Sequence, residues 1–531
     1  MEFERHWERN MTNQREVVAS VDELDDGDMK QVSVGDMEVL LTKLDGTFYA
    51  TGAYCSHYGA PLADGVLEEG TGCVVCPWHH AVFDVTEGDL VEAPARDDLS
   101  AFEVTVEGDD VIVEVPEGAT PVRPPELKGR GSDERHFVIV GGGAAGSTAA
   151  ETLRREGFGG RITMITADAY MPYDRPNLSK AFLSGEGDEE WLPLRDEAFY
   201  DEADIDVMAN RRVVGIQEGD HSLQLDGGDV IDYDQLLLAT GGEPRELDIP
   251  GVELDGVHLL RSRTDAETIV GEIDDEVRRA VVIGSSFIGM EVAASLTARD
   301  IETTVVSIES EPFEGIFGPQ IGRTFRELHE ENDVYFELET GIERFEGDGR
   351  VKSSVLDDGT ALDTDLVVIG IGVSPATSFA STLETSEDGG IVVDAGLQAA
   401  DDIYAAGDIA RFPDPRTFRK VRIEHWRLAQ QHGEVAARNM LGKDVSYDEV
   451  PFFWTRQFGR SFKYVGHADQ WEDVIIDGDL DERDFVAYYV DGEDVLAAAG
   501  TRGDDLTYIH ALMRHDEMPN ADEITGGFEL P

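Results

Sequence analysis

The sequence predicts a multidomain chain: an all-β section over residues 14–116, a doubly wound α/β section over 135–445, and a small α+β section over 446–531. Three observations predict it. Short alternating apolar stretches (MEVLLTKL, TFYATGAY, FEVTVE, DVIVEV) are separated by Gly/Asp turns and read as strands. A run rich in proline, glycine and charge, PEGATPVRPPELKGRGSDER, then breaks the pattern and is expected to be a linker over 117–134. Beyond it strands alternate with helices, and one strand–glycine turn–helix unit occurs twice, at 138 and at 281. The last section mixes strands (FKYVGHA, DFVAYYVDGEDVLAAAGT) with a helix.

A chain of 531 residues is too long for one hydrophobic core, which agrees with several domains. No run of about 18 apolar residues occurs, so no membrane insertion is expected. The start, MEFERHWERN, has no apolar stretch of the secretory kind, and the expected location is the cytoplasm. The 43 Lys and Arg face 111 Asp and Glu, a net charge of −68. Such a field repels phosphate-rich polymers and excludes nucleic acid as a partner. The acids are spread along the whole chain and only eight lysines occur. That pattern fits a protein of a halophile, in which about molar salt screens the repulsion between carboxylates.

Only three cysteines occur, Cys55, Cys73 and Cys76, all before residue 80, which points to a cofactor site and away from a disulfide framework. Cys55-Ser-His57 is followed, eighteen residues later, by Cys76-Pro-Trp-His79. Two thiolates and two imidazoles from two loops suit a Rieske [2Fe–2S] centre, where the thiolates hold one iron and the imidazoles the other. The same donors could hold zinc, and Cys73-x-x-Cys76 could be a redox dithiol. The surrounding segments, CSHYGAPLADG and CVVCPWHHAVFDVTEGDL, resemble the Rieske ferredoxin family over about the first 116 residues. The resemblance implies that Cys55, His57, Cys76 and His79 are the ligands and that Cys73 is a structural thiol. It also implies a low potential. The quinol-oxidising members carry a disulfide between the cluster loops, where this chain has Ala60 and Trp78. They also carry Ser and Tyr hydroxyls against the cluster, where it has His80-Ala81-Val82-Phe83.

The strand FVIV runs into Gly141-Gly-Gly143-Ala-Ala-Gly146 and then an alanine-rich helix, a turn suited to a dinucleotide pyrophosphate. Asp168 stands where a carboxylate is expected to bind the adenosine ribose. The second unit reads Gly284-x-Ser286-x-x-Gly289, and Glu309 follows twenty residues after Gly289. A carboxylate there bonds the ribose hydroxyls and repels a 2′-phosphate, which favours NADH over NADPH.

Two dinucleotide folds in this order, with ATG (239–241) and IYAAGDIA (403–410), resemble the two-dinucleotide-binding flavoproteins over nearly all of 135–531. The motifs YDRPNLSKAFL, GMEVAASL, RIEHWRLAQQHG and PFFWTRQFG narrow the resemblance to oxygenase ferredoxin reductases and Rieske-bearing, apoptosis-inducing-factor-like flavoproteins. It implies FAD on Gly141, Gly143, Gly146, Asp168, Arg175, Thr240, Gly241, Gly407 and Asp408, and NAD on Gly284, Ser286, Gly289 and Glu309. Lys180 would lie near the reactive flavin nitrogen, Glu291 by the nicotinamide and Trp454 beside the ring system. The implied domains are FAD-binding (135–257 and 376–445), NAD-binding (258–375) and a C-terminal reductase domain (446–531). No cysteine follows residue 76, so disulfide-reductase and cysteine-peroxidase chemistry is excluded for this part. The expected reaction passes electrons from NADH to FAD, to the Rieske cluster, and on to an unidentified acceptor protein such as an oxygenase. A redox-controlled signalling protein and a nitrite-reductase-linked carrier are the alternatives. The chain is expected to be a monomer or a homodimer.

Overall fold

The computed structural model describes residues 13–273 and 276–530 and divides the chain into two compact units. The first comprises 1–126 together with 502–531, and the second comprises 127–501.

In the first unit a six-stranded antiparallel sheet is built from Gln14–Ser20, Asp110–Val115, Ala101–Glu107, Thr47–Gly52, Met37–Leu44 and Met29–Val34. Its alternating pattern buries Val34, Val39, Leu41, Val111 and Val113 on one side. A smaller four-stranded antiparallel sheet (Val66–Glu68, Cys73–Val75, Val82–Asp84, Leu90–Glu92) carries the second cysteine loop between its middle strands. Leu62, Val74, Phe83 and Leu99 pack around Cys55 and Cys76 in one apolar cluster.

The expected linker 117–134 is partly docked: Val122–Arg123 pairs antiparallel with Asp98–Leu99, and the unit extends to residue 126. Proline and charge mark an exposed path, but a two-residue ladder needs no apolar run to form. Within the expected C-terminal domain 446–531, the helix Gly503–Arg514 groups with the first compact unit and the strands before it with the second.

Seven sheets lie among the described residues of the second unit, and three of them have five or six strands. In the first, Ile205–Met208, Arg161–Ile165, His136–Val140, Gln235–Leu238 and Ile403–Ala405 run parallel, and Gln398–Ala400 closes the edge antiparallel. The second is wholly parallel: Val257–Leu259, Leu366–Ile369, Arg279–Ile283, Glu302–Val306 and Val334–Glu337. These strands are near-continuous apolar runs, as burial on both faces requires. Because Ile403–Ala405 returns to the first sheet, the second is an insertion between halves of the first. The third sheet is antiparallel, from Phe452–Gln457 to Asp494–Gly500.

Candidate functional site

Two sites emerge, one in each unit. In the first, the loops 55–60 and 76–81 have the same backbone plan. The Cys55 N–H donates to the Ala60 carbonyl at 2.9 Å, and the Cys76 N–H to the Ala81 carbonyl at 2.8 Å. The Cys55 carbonyl accepts from Gly59 N–H at 2.9 Å, and the Cys76 carbonyl from His80 N–H at 3.2 Å. Gly59 (φ +73°) and His80 (φ +56°) both turn the chain through the left-handed region. Each loop therefore presents one cysteine inward and one histidine beside it.

The donors come together as two pairs. Cys55 and Cys76 are buried with their thiols in contact, and that contact together with burial pushes the Cys55 thiol up. The Nδ1 atoms of His57 and His79 lie 3.0 Å apart. Desolvation of its ring pushes His57 down to about 3, which favours the neutral imidazole that a metal ligand requires. Among the described residues no three His, Cys, Asp or Glu converge as ligands of a single ion. A sulfur pair beside a nitrogen pair is what a two-iron centre requires, and it fits a [2Fe–2S] cluster better than tetrahedral zinc. Cys73 lies in the strand Cys73–Val75, its sulfur 3.9 Å from the Thr71 carbonyl oxygen.

In the second unit a cavity of about 940 Å³ is lined by residues from Val140 to Trp454. Gly141 (φ +117°) and Gly284 (φ +105°) make equivalent turns. A Cβ at Gly146 would stand 1.9 Å from the Gly141 carbonyl oxygen, and one at Gly289 2.0 Å from that of Gly284, so both helices pack hard on their strands. The helices Ala144–Arg155 and Phe287–Thr297 have no acid in their first turns, although the chain carries 111. Their N-termini keep the positive end of the helix dipole unneutralised, as a pyrophosphate site needs. Gly141, Gly143 and Ser286 line the cavity, while Gly146, Gly284 and Gly289 shape the turns behind it.

Asp168, Arg175, Thr240, Gly241, Gly407, Asp408 and Trp454 also line the cavity. Asp168 accepts from Arg175 at 3.1 Å and from the Tyr173 hydroxyl at 3.0 Å. Asp408 is paired with Arg261 at 3.0 Å, and Thr240 donates to the Ala376 carbonyl at 2.7 Å. Glu309 follows the strand Glu302–Val306 and accepts from Ser285 at 3.1 Å. Arg323 and Arg326, further along, are both paired with Glu311.

Lys180 and Glu291 meet. The Lys180 ammonium lies 2.8 Å from Glu291 Oε2, which also accepts from Ser179 at 2.6 Å. Glu291 Oε1 accepts from Thr455 at 2.8 Å, and Gln457 in turn donates to Thr455 at 3.1 Å. Glu291 is buried among three donors at the cavity wall. Ser179, Arg261 and Thr455 were not singled out from the sequence. Ser179 and Thr455 fall inside motifs that were noted (PNLSK and PFFWTRQFG), but the hydroxyls gave no signal of their own.

The chain resembles known proteins over both the Rieske-like and the dinucleotide-binding sections. Three family models match: the Rieske [2Fe–2S] domain over 14–103, the pyridine nucleotide-disulphide oxidoreductase over 135–433, and the reductase C-terminal domain over 452–526. Human apoptosis-inducing factor 3 is 38% identical over 502 residues, covering 92% of this chain and 82% of the relative. Rhodocoxin reductase of Rhodococcus erythropolis is 35% identical over 65% of this chain and 81% of the relative. Among solved structures, the covalent putidaredoxin reductase–putidaredoxin complex aligns with a TM-score of 0.71 at 32% identity, covering 75% of this chain and 97% of that one. The chain belongs to the pyridine nucleotide-disulphide oxidoreductases and carries a Rieske [2Fe–2S] domain ahead of them in sequence.

Proposed function

We propose that this chain is a self-contained electron relay in which the Lys180–Glu291 pair governs entry and the cysteine–histidine loops govern exit. It is an FAD-dependent oxidoreductase that takes electrons from NADH and passes them to its own [2Fe–2S] cluster. Bound FAD supplies the conversion between a two-electron hydride and one-electron steps, so each NADH serves two reductions of the cluster.

The chain's residues divide the remaining work. The two acid-free helix starts hold the pyrophosphates, Gly143 and Ser286 letting them approach. Lys180 places positive charge at the cavity wall, where it favours electron-rich flavin, and Glu291 fixes that ammonium while orienting the nicotinamide. Thr455 and Ser179 hold Glu291 in register for both tasks. Asp168 and Glu309 bind the two adenosine riboses, and Glu309 selects NADH. Asp408 binds the ribityl chain and Trp454 borders the ring system.

The observation that carries the reading is the half-buried Lys180–Glu291 contact in a cavity bordered by both glycine turns, in a chain that also owns four candidate cluster ligands. Anaerobic NADH titration followed by visible and EPR spectroscopy tests it. Flavin bleaching followed by a reduced-Rieske signal is the expected result. A cluster that dithionite reduces but NADH does not would sink the relay.

The cluster's potential is low, ferredoxin-like, and its acceptor is a protein such as an oxygenase; several curated relatives are named as reductase components of dioxygenase systems. The protein works in the cytoplasm, as monomer or homodimer, and needs about molar salt, which its −68 charge calls for. Full activity in dilute buffer would refute the salt requirement. One observation favours a second reading, a redox-controlled signalling protein: the relative that spans 92% of this chain is named an apoptosis-inducing factor. Stopped-flow separates them, since slow reduction with a long-lived charge-transfer complex supports signalling.

A further inference from the structure

The helix Gly503–Arg514 follows the reductase strands in sequence but belongs to the unit that carries the cluster ligands. Its buried face shows what it does there. Thr507 and His510 are both almost fully buried, and they face His80. The Thr507 hydroxyl has one hydrogen, which goes to the Gly503 carbonyl at 2.8 Å. The 3.2 Å contact between Thr507 Oγ1 and His80 Nε2 is therefore donated by His80, which fixes its tautomer. The His510 ring packs on the same side, 4.9 Å from that of His80.

His80 is the position where the second loop turns through φ +56°, a conformation Gly59 adopts at no steric cost in the first loop. Its N–H closes that loop on Cys76, and its neighbour His79 is a ligand. A non-glycine residue held left-handed persists where its surroundings over-determine it. Here the surroundings are supplied by the far end of the chain.

A second anchor secures the same helix. Arg514 reaches Glu68 at 2.7 Å and Glu92 at 2.5 Å. Both carboxylates are buried, on the outer strands of the sheet whose middle strands hold the Cys76 loop. A guanidinium shared between two buried acids has the fork geometry that makes such a contact directional, and losing it would remove the one cation that bridges them.

We propose that the C-terminal helix is a positioning element of the cluster: Thr507 and His510 hold the Cys76–Ala81 loop through His80, and Arg514 fixes the helix to the sheet beneath. The cluster unit of this chain is thus completed by residues within the span matched by the reductase C-terminal domain. The inference rests on the cluster reading and extends it to the surroundings of the ligands, which orient them and tune the metal.

The test uses the full-length holoprotein carrying Thr507→Val, Thr507→Ser or Arg514→Met. Three quantities are read: the EPR spectrum of the dithionite-reduced cluster, its midpoint potential, and the rate of iron loss to a chelator. Thr507→Val is expected to shift the g values and the midpoint, and Thr507→Ser to restore both. Arg514→Met is expected to speed iron loss roughly tenfold or more. FAD content and the rate of flavin reduction by NADH should stay at wild-type values in all three. A wild-type Rieske signal left unchanged by Thr507→Val, with wild-type iron retention in Arg514→Met, overturns the inference alone. A wild-type protein with no Rieske signal overturns the cluster reading and the inference with it.

Discussion

The cluster loops and the flavin cavity are built on opposite principles. All four cluster donors lie in two six-residue loops, each closed by its own backbone hydrogen bonds around its own cysteine. The cavity is distributed: Lys180 and Glu291 meet across 111 residues of chain, and Thr455 reaches Glu291 across another 164. A local site stands or falls with single ligands, whereas a distributed site loses function in steps as its supports are removed. The two should therefore respond differently to substitution.

The largest effect belongs to the local site. Cys76→Ser and His79→Ala are expected to abolish the reduced-cluster EPR signal while NADH still bleaches the flavin at the wild-type rate. A signal that survives His79→Ala would mean that the ligand pairs are wrongly assigned. In the distributed site Glu291→Gln should slow hydride transfer by about tenfold to hundredfold, because a preorganised charged group at the reacting centre is lost. Thr455→Val removes only one donor to the same carboxylate, and about tenfold is expected from the roughly 1–3 kcal/mol cost of an unsatisfied buried acceptor. Stopped-flow absorbance at the flavin band reads both, and cluster EPR should not change. Equal effects from Thr455→Val and Glu291→Gln would show a site as brittle as the cluster loops.

The same contrast explains what could be read from the sequence. The convergence of the two Cys–His loops was legible because the loops are short and their side chains are chemically distinctive. The glycine turns were legible because steric demands at Gly141 and Gly146 admit almost nothing else. The hydroxyl supports were not: a serine or threonine in a motif reads the same whether it bonds a catalytic carboxylate or solvent. Nor was the pairing of Glu291 with both Lys180 and Thr455, which depends on how strands of the third sheet approach a helix of the second. Which compact unit the helix Gly503–Arg514 packs in was not legible, because apolar periodicity specifies a buried face but not which neighbour buries it. His80 drew notice only as a missing hydroxyl, and its equivalence to Gly59 needed backbone angles.

Within the second unit, the two dinucleotide turns offer a finer comparison. Glu309 accepts from Ser285, so its carboxylate is fixed before nucleotide arrives. Glu309→Ala is expected to weaken the preference for NADH over NADPH by about tenfold, the value of one hydrogen bond to a charged group. The ratio of kcat/KM for the two nucleotides measures it. An unchanged ratio would place the selection elsewhere, and the FAD turn, with Asp168 already held by Arg175 and Tyr173, should be indifferent to the substitution.

The smallest effect appears with pH. In the flavin unit burial pushes His329 down to about 4, and His425 and His432 down to about 3. Unfolded, these histidines would bind protons near pH 6.5, so between about 6.5 and 4 the unfolded state holds more protons than the folded one. The neutral folded forms therefore contribute stability that is present above about pH 6.5 and is lost as pH falls toward the folded values. The −68 charge acts in the opposite sense, because acidification relieves repulsion among carboxylates. Salt distinguishes the two terms: at about 1 M the Debye length falls to about 3 Å, which suppresses repulsion between exposed carboxylates but barely touches the desolvation of a buried ring. In molar salt the temperature of flavin release is accordingly expected to drop by several degrees between about pH 7 and pH 5, and to drop less in dilute salt. A flat profile in molar salt would mean that these rings gain their protons without the unit opening.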